Sequence, residues 1–322
     1  MTTVKKYLSL VKFAHTVFAL PFALIGFFLG ITSVSIWRGF TRQGQWNLNN
    51  VIGWDSSFSV VPGWHTIIYT KEYLLYLFIL VILCMVFARS AAMAFNRWLD
   101  AEFDKKNPRT AIREIPSGII KPGNALTFTI ACCLLFMATT FFINRLCFFL
   151  SPVALFVILF YSYTKRFTAL CHLILGLGLS LAPIGAYIAV TGKFAFLPVL
   201  FSIAVLFWVS GFDIIYALQD EEFDKVNKLN SIPAALGKKN ALHVSELLHL
   251  LSAACVMYAG VYGHFGVWYW IGVGVFASLL IYQHLLVKPG DLRKVNMAFF
   301  TTNGIASVVF AIFVILDLFL GG

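Results

Sequence analysis

Long apolar stretches alternate along this chain with short polar joints. A membrane helix needs roughly 20 mostly apolar residues. Nine segments meet that measure, at about 13–35, 73–98, 124–143, 146–163, 168–190, 197–219, 241–262, 265–287 and 296–319. Several joints are so short that neighbouring helices must be antiparallel hairpins. The pattern predicts an all-α polytopic membrane bundle around a central cavity, with residues 1–322 forming one domain. The opening run, MTTVKKYLSLVKFAHTVFALPFALIGFFLG, resembles a signal peptide at first sight. Its apolar part exceeds the ~7–15 residues of a signal core, and no small-x-small site follows promptly. It is expected to be a retained first helix.

Composition agrees with the pattern. Hydrophobic residues make up 60% of the 322 positions and charged residues 12%. A soluble domain carries about 45–50% and about 25%. Phe occurs 33 times, as expected where side chains face lipid. The six cysteines (Cys84, Cys132, Cys133, Cys147, Cys171, Cys255) all fall in apolar segments without metal-ligand spacing. They read as buried free thiols. The histidines show no metal spacing either, and His15 alone is a candidate for lining a cavity.

A net charge of +10 raises the question of nucleic acid. Its distribution argues against such a partner. With nine helices the loops alternate sides, and 18 of the 24 Lys and Arg residues fall on one side against five on the other, Arg89 staying inside a helix. The positive-inside rule places the N-terminus and the long charged loops in the cytoplasm. The expected location is the cell (inner) membrane, multi-pass, with the functional face toward the cytoplasm.

The acids are more informative. Of 14, nine lie in two short stretches on that same side: Asp100, Glu102, Asp104 and Glu114, then Asp213, Asp220, Glu221, Glu222 and Asp224. Acidic residues at membrane helix ends cost free energy unless they bind something. The two stretches repeat: DAEFDKKN at 100–107 and DEEFDKVN at 220–227 differ at two of eight positions. Internal repeats in membrane proteins often place a site at their interface.

Asn96, Asp100 and Asp104 recur every four residues and share one helix face. Asp213, Asp220 and Asp224 do the same at i, i+7 and i+11, with Tyr216 at the repeat position of Asn96. Each helix end offers a ladder of hard oxygen ligands. Mg²⁺ is usually held by one or two carboxylates while substrate phosphate supplies other ligands. One such ladder is equally well a solvated helix end. Two matching ladders, each followed by basic residues, point to Mg²⁺ and a diphosphate. Arg109, Arg113, Lys165, Arg166 and Lys228 lie on the same side and suit phosphate oxygens. Arg89, seven residues before Asn96, is expected to face the cavity, because a guanidinium at that depth needs a partner.

These residues resemble the UbiA superfamily of intramembrane prenyltransferases. The family's first motif appears as NRWLDAEFD (Asn96–Asp104), with Arg97 in place of the common Asp. The second appears as DIIYALQDEEFD (Asp213–Asp224), and RTAIREIPSG (Arg109–Gly118) matches a third segment with Glu114 in place of Pro. YSYTKRFT (Tyr161–Thr168) and HTVFALPFA (His15–Ala23) look like two further signatures. The resemblance implies transfer of a polyprenyl group from a polyprenyl diphosphate to a small aromatic acceptor. It implies metal ligands Asn96, Asp100, Asp104, Asp220 and Asp224, with Asp213 as base or orienting group and Tyr161 and Tyr216 shielding a carbocation. The details look most like the 4-hydroxybenzoate branch. RSAAMAFNRWLD and FWVSGFDIIYALQDEEFD look like a menaquinone subgroup whose acceptor is a dihydroxynaphthoate. Residues 37–70 look like an extracytoplasmic insertion. A cation-coupled transporter is the non-enzyme alternative, although transporter acids lie near the midplane. A CDP-alcohol phosphotransferase needs an Asp–Gly pair, which this sequence lacks.

Overall fold

The computed structural model describes residues 3–11, 19–33 and 71–321. His15, the expected insertion at 37–70 and the start of the first expected span lie outside the described residues. The described chain is helical: α1 (Thr3–Val11), α2 (Leu20–Ser33), α3 (Lys71–Leu99), α4 (Ala101–Lys106), α5 (Pro122–Ile143), α6 (Arg145–Thr164), α7 (Cys171–Thr191), α8 (Phe196–Ala217), α9 (Glu221–Val226), α10 (Ile232–Tyr262), α11 (Val267–Leu286) and α12 (Asn303–Leu320). A π-helical segment, Met297–Thr302, leads into α12.

Among the described residues eight helical spans are long and apolar enough to cross a membrane. The remaining expected span is represented by α2, of which 14 residues are described. α10 begins at Ile232, nine residues before the expected 241. Its lead-in contains Lys238, Lys239 and Asn240, which hide it from an apolar count. Ser231 starts it, accepting a hydrogen bond from Ala234 N–H at 3.3 Å. The helix breaks at Gly237, whose φ is +75°.

Lipid supplies no hydrophobic force between helices, so close backbone approach and hydrogen bonds must hold the bundle. α7 is the hub, packing against α2, α6 and α8. At Gly26 of α2 a Cβ would lie 1.9 Å from the Pro183 carbonyl oxygen of α7. At Gly176 of α7 it would lie 2.4 Å from both the Leu206 carbonyl oxygen and Ser210 Oγ of α8. Trp208, fully buried at the centre of the largest core cluster, donates to Asn303 Oδ1 at 3.0 Å and ties α8 to α12. Asp317 of α12 accepts from the backbone N–H of Gly266 (2.8 Å) and Tyr269 (3.1 Å) at the start of α11. That acid satisfies orphan donors and complements the helix dipole.

Candidate active site

The repeated octapeptide folds the same way twice. α3 ends at Leu99, Asp100 leaves helical geometry (φ −92°, ψ 9°), and six-residue α4 follows. α8 passes through a 3₁₀ turn, Asp220 takes φ −104° and ψ 4°, and six-residue α9 follows. The i→i−4 register survives the first jog: Asp100 N–H donates to Asn96 O at 2.9 Å and Asp104 N–H to Asp100 O at 2.7 Å. The first ladder therefore stays on one face.

Both ladders line one polar cavity of about 290 Å³. Asn96, Asp100, Asp104, Asp213, Asp220 and Asp224 all border it, as do Arg89, Arg109, Arg113, Tyr161, Lys165 and Tyr216. Lys228 does not border it. It is exposed at a left-handed φ of +54° in the turn after α9.

Cations and carboxylates interlock across the two halves. Arg109 Nε donates to Asp220 Oδ1 at 3.0 Å, its Nη2 pairs with Oδ2, and its Nη1 donates to the Tyr216 hydroxyl at 2.9 Å. Asn107 Nδ2 adds a bond to Asp220 Oδ1 at 3.1 Å. Arg113 meets Asp104 at 2.6 Å. Lys165 meets Asp224 at 2.7 Å, and the next residue, Arg166, meets Asp100 at 3.1 Å. The α6–α7 loop thus bridges both ladders. Asn96 Nδ2 donates to Asp100 Oδ2 at 3.0 Å. Burial pushes the Asp100 carboxyl up to about 6 against the opposing pull of Arg166. Burial also disfavours the Lys165 ammonium, but Asp224 beside it outweighs this and holds Lys165 above the usual lysine value.

Several polar atoms here lack a hydrogen-bond partner although buried: Asp104 Oδ2, Arg89 Nε, and Nε and Nη1 of Arg97. Such groups are costly in a low-dielectric site. Among the described residues no three Asp, Glu, His or Cys side chains converge as a metal cluster.

A second, apolar cavity of about 320 Å³ adjoins the first. The two share Arg89, Met93, Tyr161, Leu175 and Leu179. It runs between α3, α5, α6 and α7 as far as Ile143, Cys147 and Ile188, toward their opposite ends. A charged chamber therefore opens on a long greasy one.

The profile of the UbiA prenyltransferase family matches residues 59–305. The chain belongs to the UbiA prenyltransferase family. It is a membrane prenyltransferase of the 4-hydroxybenzoate polyprenyltransferase kind. Curated UbiA-family relatives include the 4-hydroxybenzoate octaprenyltransferase of Francisella tularensis subsp. holarctica (strain LVS), 30% identical over 72% of this chain and 81% of the relative. That of Nitrosomonas europaea is 30% identical over 72% of this chain and 80% of the relative. The solved UbiA homolog from Aeropyrum pernix K1 superposes with a TM-score of 0.74 at 27% identity, covering 94% of this chain and 98% of that one. A UbiA homolog from Archaeoglobus fulgidus bound to DMAPP and Mg²⁺ has the same fold, with a TM-score of 0.65 at 20% identity, covering 98% of this chain and 99% of that one.

Within this UbiA-family site, sequence reasoning missed three contributors. Asn107 was the end of a repeat, yet its amide reaches the opposite ladder, whereas its counterpart Asn227 bonds only Phe223 O on its own helix. Ser231 donates to Asp224 Oδ2 at 2.9 Å while capping α10. His172 meets Asp213 at 2.7 Å. The cap left a signal, a Ser–x–Pro helix start. The histidine left none, because an isolated His near a helix start has no periodic partner.

Proposed function

We propose that the polar cavity binds Mg²⁺ with the diphosphate of a polyprenyl donor, and that the enzyme prenylates a 4-hydroxybenzoate-like acceptor in quinone biosynthesis. The convergence of both acid ladders on one chamber that opens into an apolar cavity carries this reading. The donor set fits: Asn96, Asp100, Asp104, Asp220 and Asp224 offer hard oxygens of the kind Mg²⁺ prefers. Asp104 Oδ2 and Arg97 Nη1 are buried and face each other at 3.9 Å without a hydrogen bond, and Arg89 Nε is buried with none, which suits a cation and a polyanion entering together. A bound Mg²⁺ supplies Lewis acidity toward the diphosphate as negative charge builds on it.

The chain's own residues do the rest. Arg109, Arg113 and Lys165 sit on carboxylates that would hold the metal, and with those acids so engaged the three cations would be free to pair with phosphate oxygens. The allylic C–O bond breaks with its electron pair leaving on the diphosphate. Tyr161, at the mouth of the apolar cavity, and Tyr216, beside Arg109, shield the allylic cation with their π faces. Arg89, shared by both cavities, stands where an acceptor carboxylate can pair with it. Asp213 takes the proton that the ring must lose to regain aromaticity. The apolar cavity holds the isoprenoid tail and keeps water from the cation. The excess of Lys and Arg at this end supports a site facing the cytoplasm from the cell membrane.

Offering 4-hydroxybenzoate and dihydroxynaphthoates separately, with one labelled prenyl diphosphate, to membranes containing the protein tests the reading by mass spectrometry. Prenylated 4-hydroxybenzoate is the expected product. Product from a dihydroxynaphthoate alone, which the likeness of RSAAMAFNRWLD to the menaquinone subgroup allows, reassigns the acceptor. Absence of both products overturns the acceptor class.

A further inference from the structure

His172 is the second residue of α7, and its side chain is only 3% exposed. Its Nε2 lies 3.3 Å from the backbone nitrogen of Ile232 at the start of α10. A backbone N–H can only donate, so Nε2 accepts and carries no proton. The ring proton then resides on Nδ1, which lies 2.7 Å from Asp213 Oδ2. Both ring nitrogens are thereby committed, and the imidazole orientation is fixed.

The backbone of His172 is fixed as well. Ser210 Oγ of α8 donates to its carbonyl oxygen at 3.1 Å. One turn further along α7, Gly176 lets the α8 backbone approach, since a Cβ there would meet Leu206 O and Ser210 Oγ at 2.4 Å. That approach brings Asp213 of α8 within reach of a ring on α7. Asp213 itself is 23% exposed, toward the cavity it borders. One carboxylate oxygen is held and the other stays available to a ligand.

We propose that His172 is a positioning residue that holds Asp213 as an oriented anion facing the acceptor ring. This rests on the reading of Asp213 as proton acceptor. In the step it serves, a ring π pair forms the new C–C bond to the allylic carbon. The C–H pair at that ring carbon returns to the ring, and the proton goes to Asp213. The neutral Nδ1–H donor stabilises the Asp213 anion beforehand and fixes its direction. The α10 start is the common anchor: Ile232 N–H holds His172, and the adjacent Ser231 hydroxyl holds Asp224. The proton-accepting carboxylate and one acid ladder are thus registered to one helix end.

Two substitutions separate this role from packing. His172→Asn places an amide N–H where Nδ1 is and gives up the bond to Ile232. His172→Gln places an amide oxygen where Nε2 is, keeps the tie to α10 and gives up the donor to Asp213. Purified variants are compared in kcat and KM for both substrates, with thermal melting and detergent-extracted yield as folding checks. A misplaced reacting group costs on the order of 100-fold, so kcat for His172→Gln should fall by about that factor, with KM for the prenyl diphosphate little changed. His172→Asn should keep most of kcat. The reverse order, or equal losses in both, overturns the proposal in favour of a tie between helices. Asp213→Asn, measured alongside, isolates the underlying reading. If it retains full kcat, the proton-acceptor role fails; if it is inactive while His172→Gln is fully active, only the role of His172 fails.

Discussion

Arg109 forks across the carboxylate of Asp220, although the two residues belong to opposite halves of the repeat. Nε meets one oxygen at 3.0 Å, Nη2 pairs with the other, and Nη1 reaches on to Tyr216. The loop after one acid ladder therefore closes on the other ladder. A planar guanidinium can bridge both oxygens, whereas an ammonium acts as a point charge. Arg109→Lys should therefore raise KM for the prenyl diphosphate by ~10-fold, and Arg109→Ala by ~100-fold, the range expected for charged hydrogen bonds. Steady-state kinetics with the acceptor saturating checks this. Unchanged KM in both variants removes Arg109 from the diphosphate site.

Metal dependence should be absolute and acid-sensitive. EDTA should stop transfer and added Mg²⁺ restore it. Asp100→Ala and Asp220→Ala should abolish transfer while the protein still inserts. Asp100 has a carboxyl raised to about 6, chiefly by burial. It must be ionised to hold a cation, so protons compete with Mg²⁺ as pH falls through that value. The Mg²⁺ concentration giving half-maximal turnover should be flat above pH 7 and rise about tenfold per unit well below 6. A titration that stays flat from pH 8 to 5 would contradict the assignment of Asp100.

The spans and the acid ladders were legible because each is a one-dimensional signal. Hydropathy marks α3, α5 to α8, α11 and, counted with its π-helical lead-in, α12 within a few residues, and DAEFDKKN with DEEFDKVN marks both helix ends. The partnerships were not legible. Arg109 with Asp220, Lys165 with Asp224 and His172 with Asp213 join residues 111, 59 and 41 positions apart, and nothing in local periodicity encodes such pairings. Lys228 shows the converse error. It follows an acid ladder as Lys165 follows helix α6, but a left-handed turn leaves it exposed and off the cavity. The π-helical turn at Met297–Thr302 was hidden for the same reason, since Phe299 and Phe300 read as ordinary apolar positions although both border the site.

Gly176 should be among the least substitutable glycines. A methyl there would press on α8 backbone and on Ser210, neither of which is the free end of a flexible chain. Overpacking of this kind costs ~1–3 kcal/mol. Gly176→Ala should lower the melting temperature and also lower kcat, because separating α7 from α8 lengthens the contact between His172 and Asp213. Gly123→Ala, where a Cβ meets nothing within 4 Å, is the control and should leave both values near wild type. Equal behaviour of the two variants would detach the α7–α8 contact from catalysis.

Prenyl length should be tunable from the apolar cavity without touching the charged one. Gly185 of α7 borders that cavity, and a Cβ added there meets nothing within 4 Å. It lies about 9 Å further along α7 than Leu179, which borders both cavities, at 1.5 Å per helical residue. A leucine at 185 would therefore fill space distant from the proposed diphosphate site while leaving the proposed metal ligands and Asp213 in place. Gly185→Leu should accept a short prenyl diphosphate with near wild-type kcat/KM. It should lose efficiency progressively as isoprene units are added, since each methylene denied burial forfeits ~0.8 kcal/mol. Competition between short and long prenyl diphosphates, read by mass spectrometry of the products, measures the shift. If the variant loses short and long donors alike, the tail does not occupy this cavity. If it loses neither, the tail leaves the site by another route, and donor length is set elsewhere.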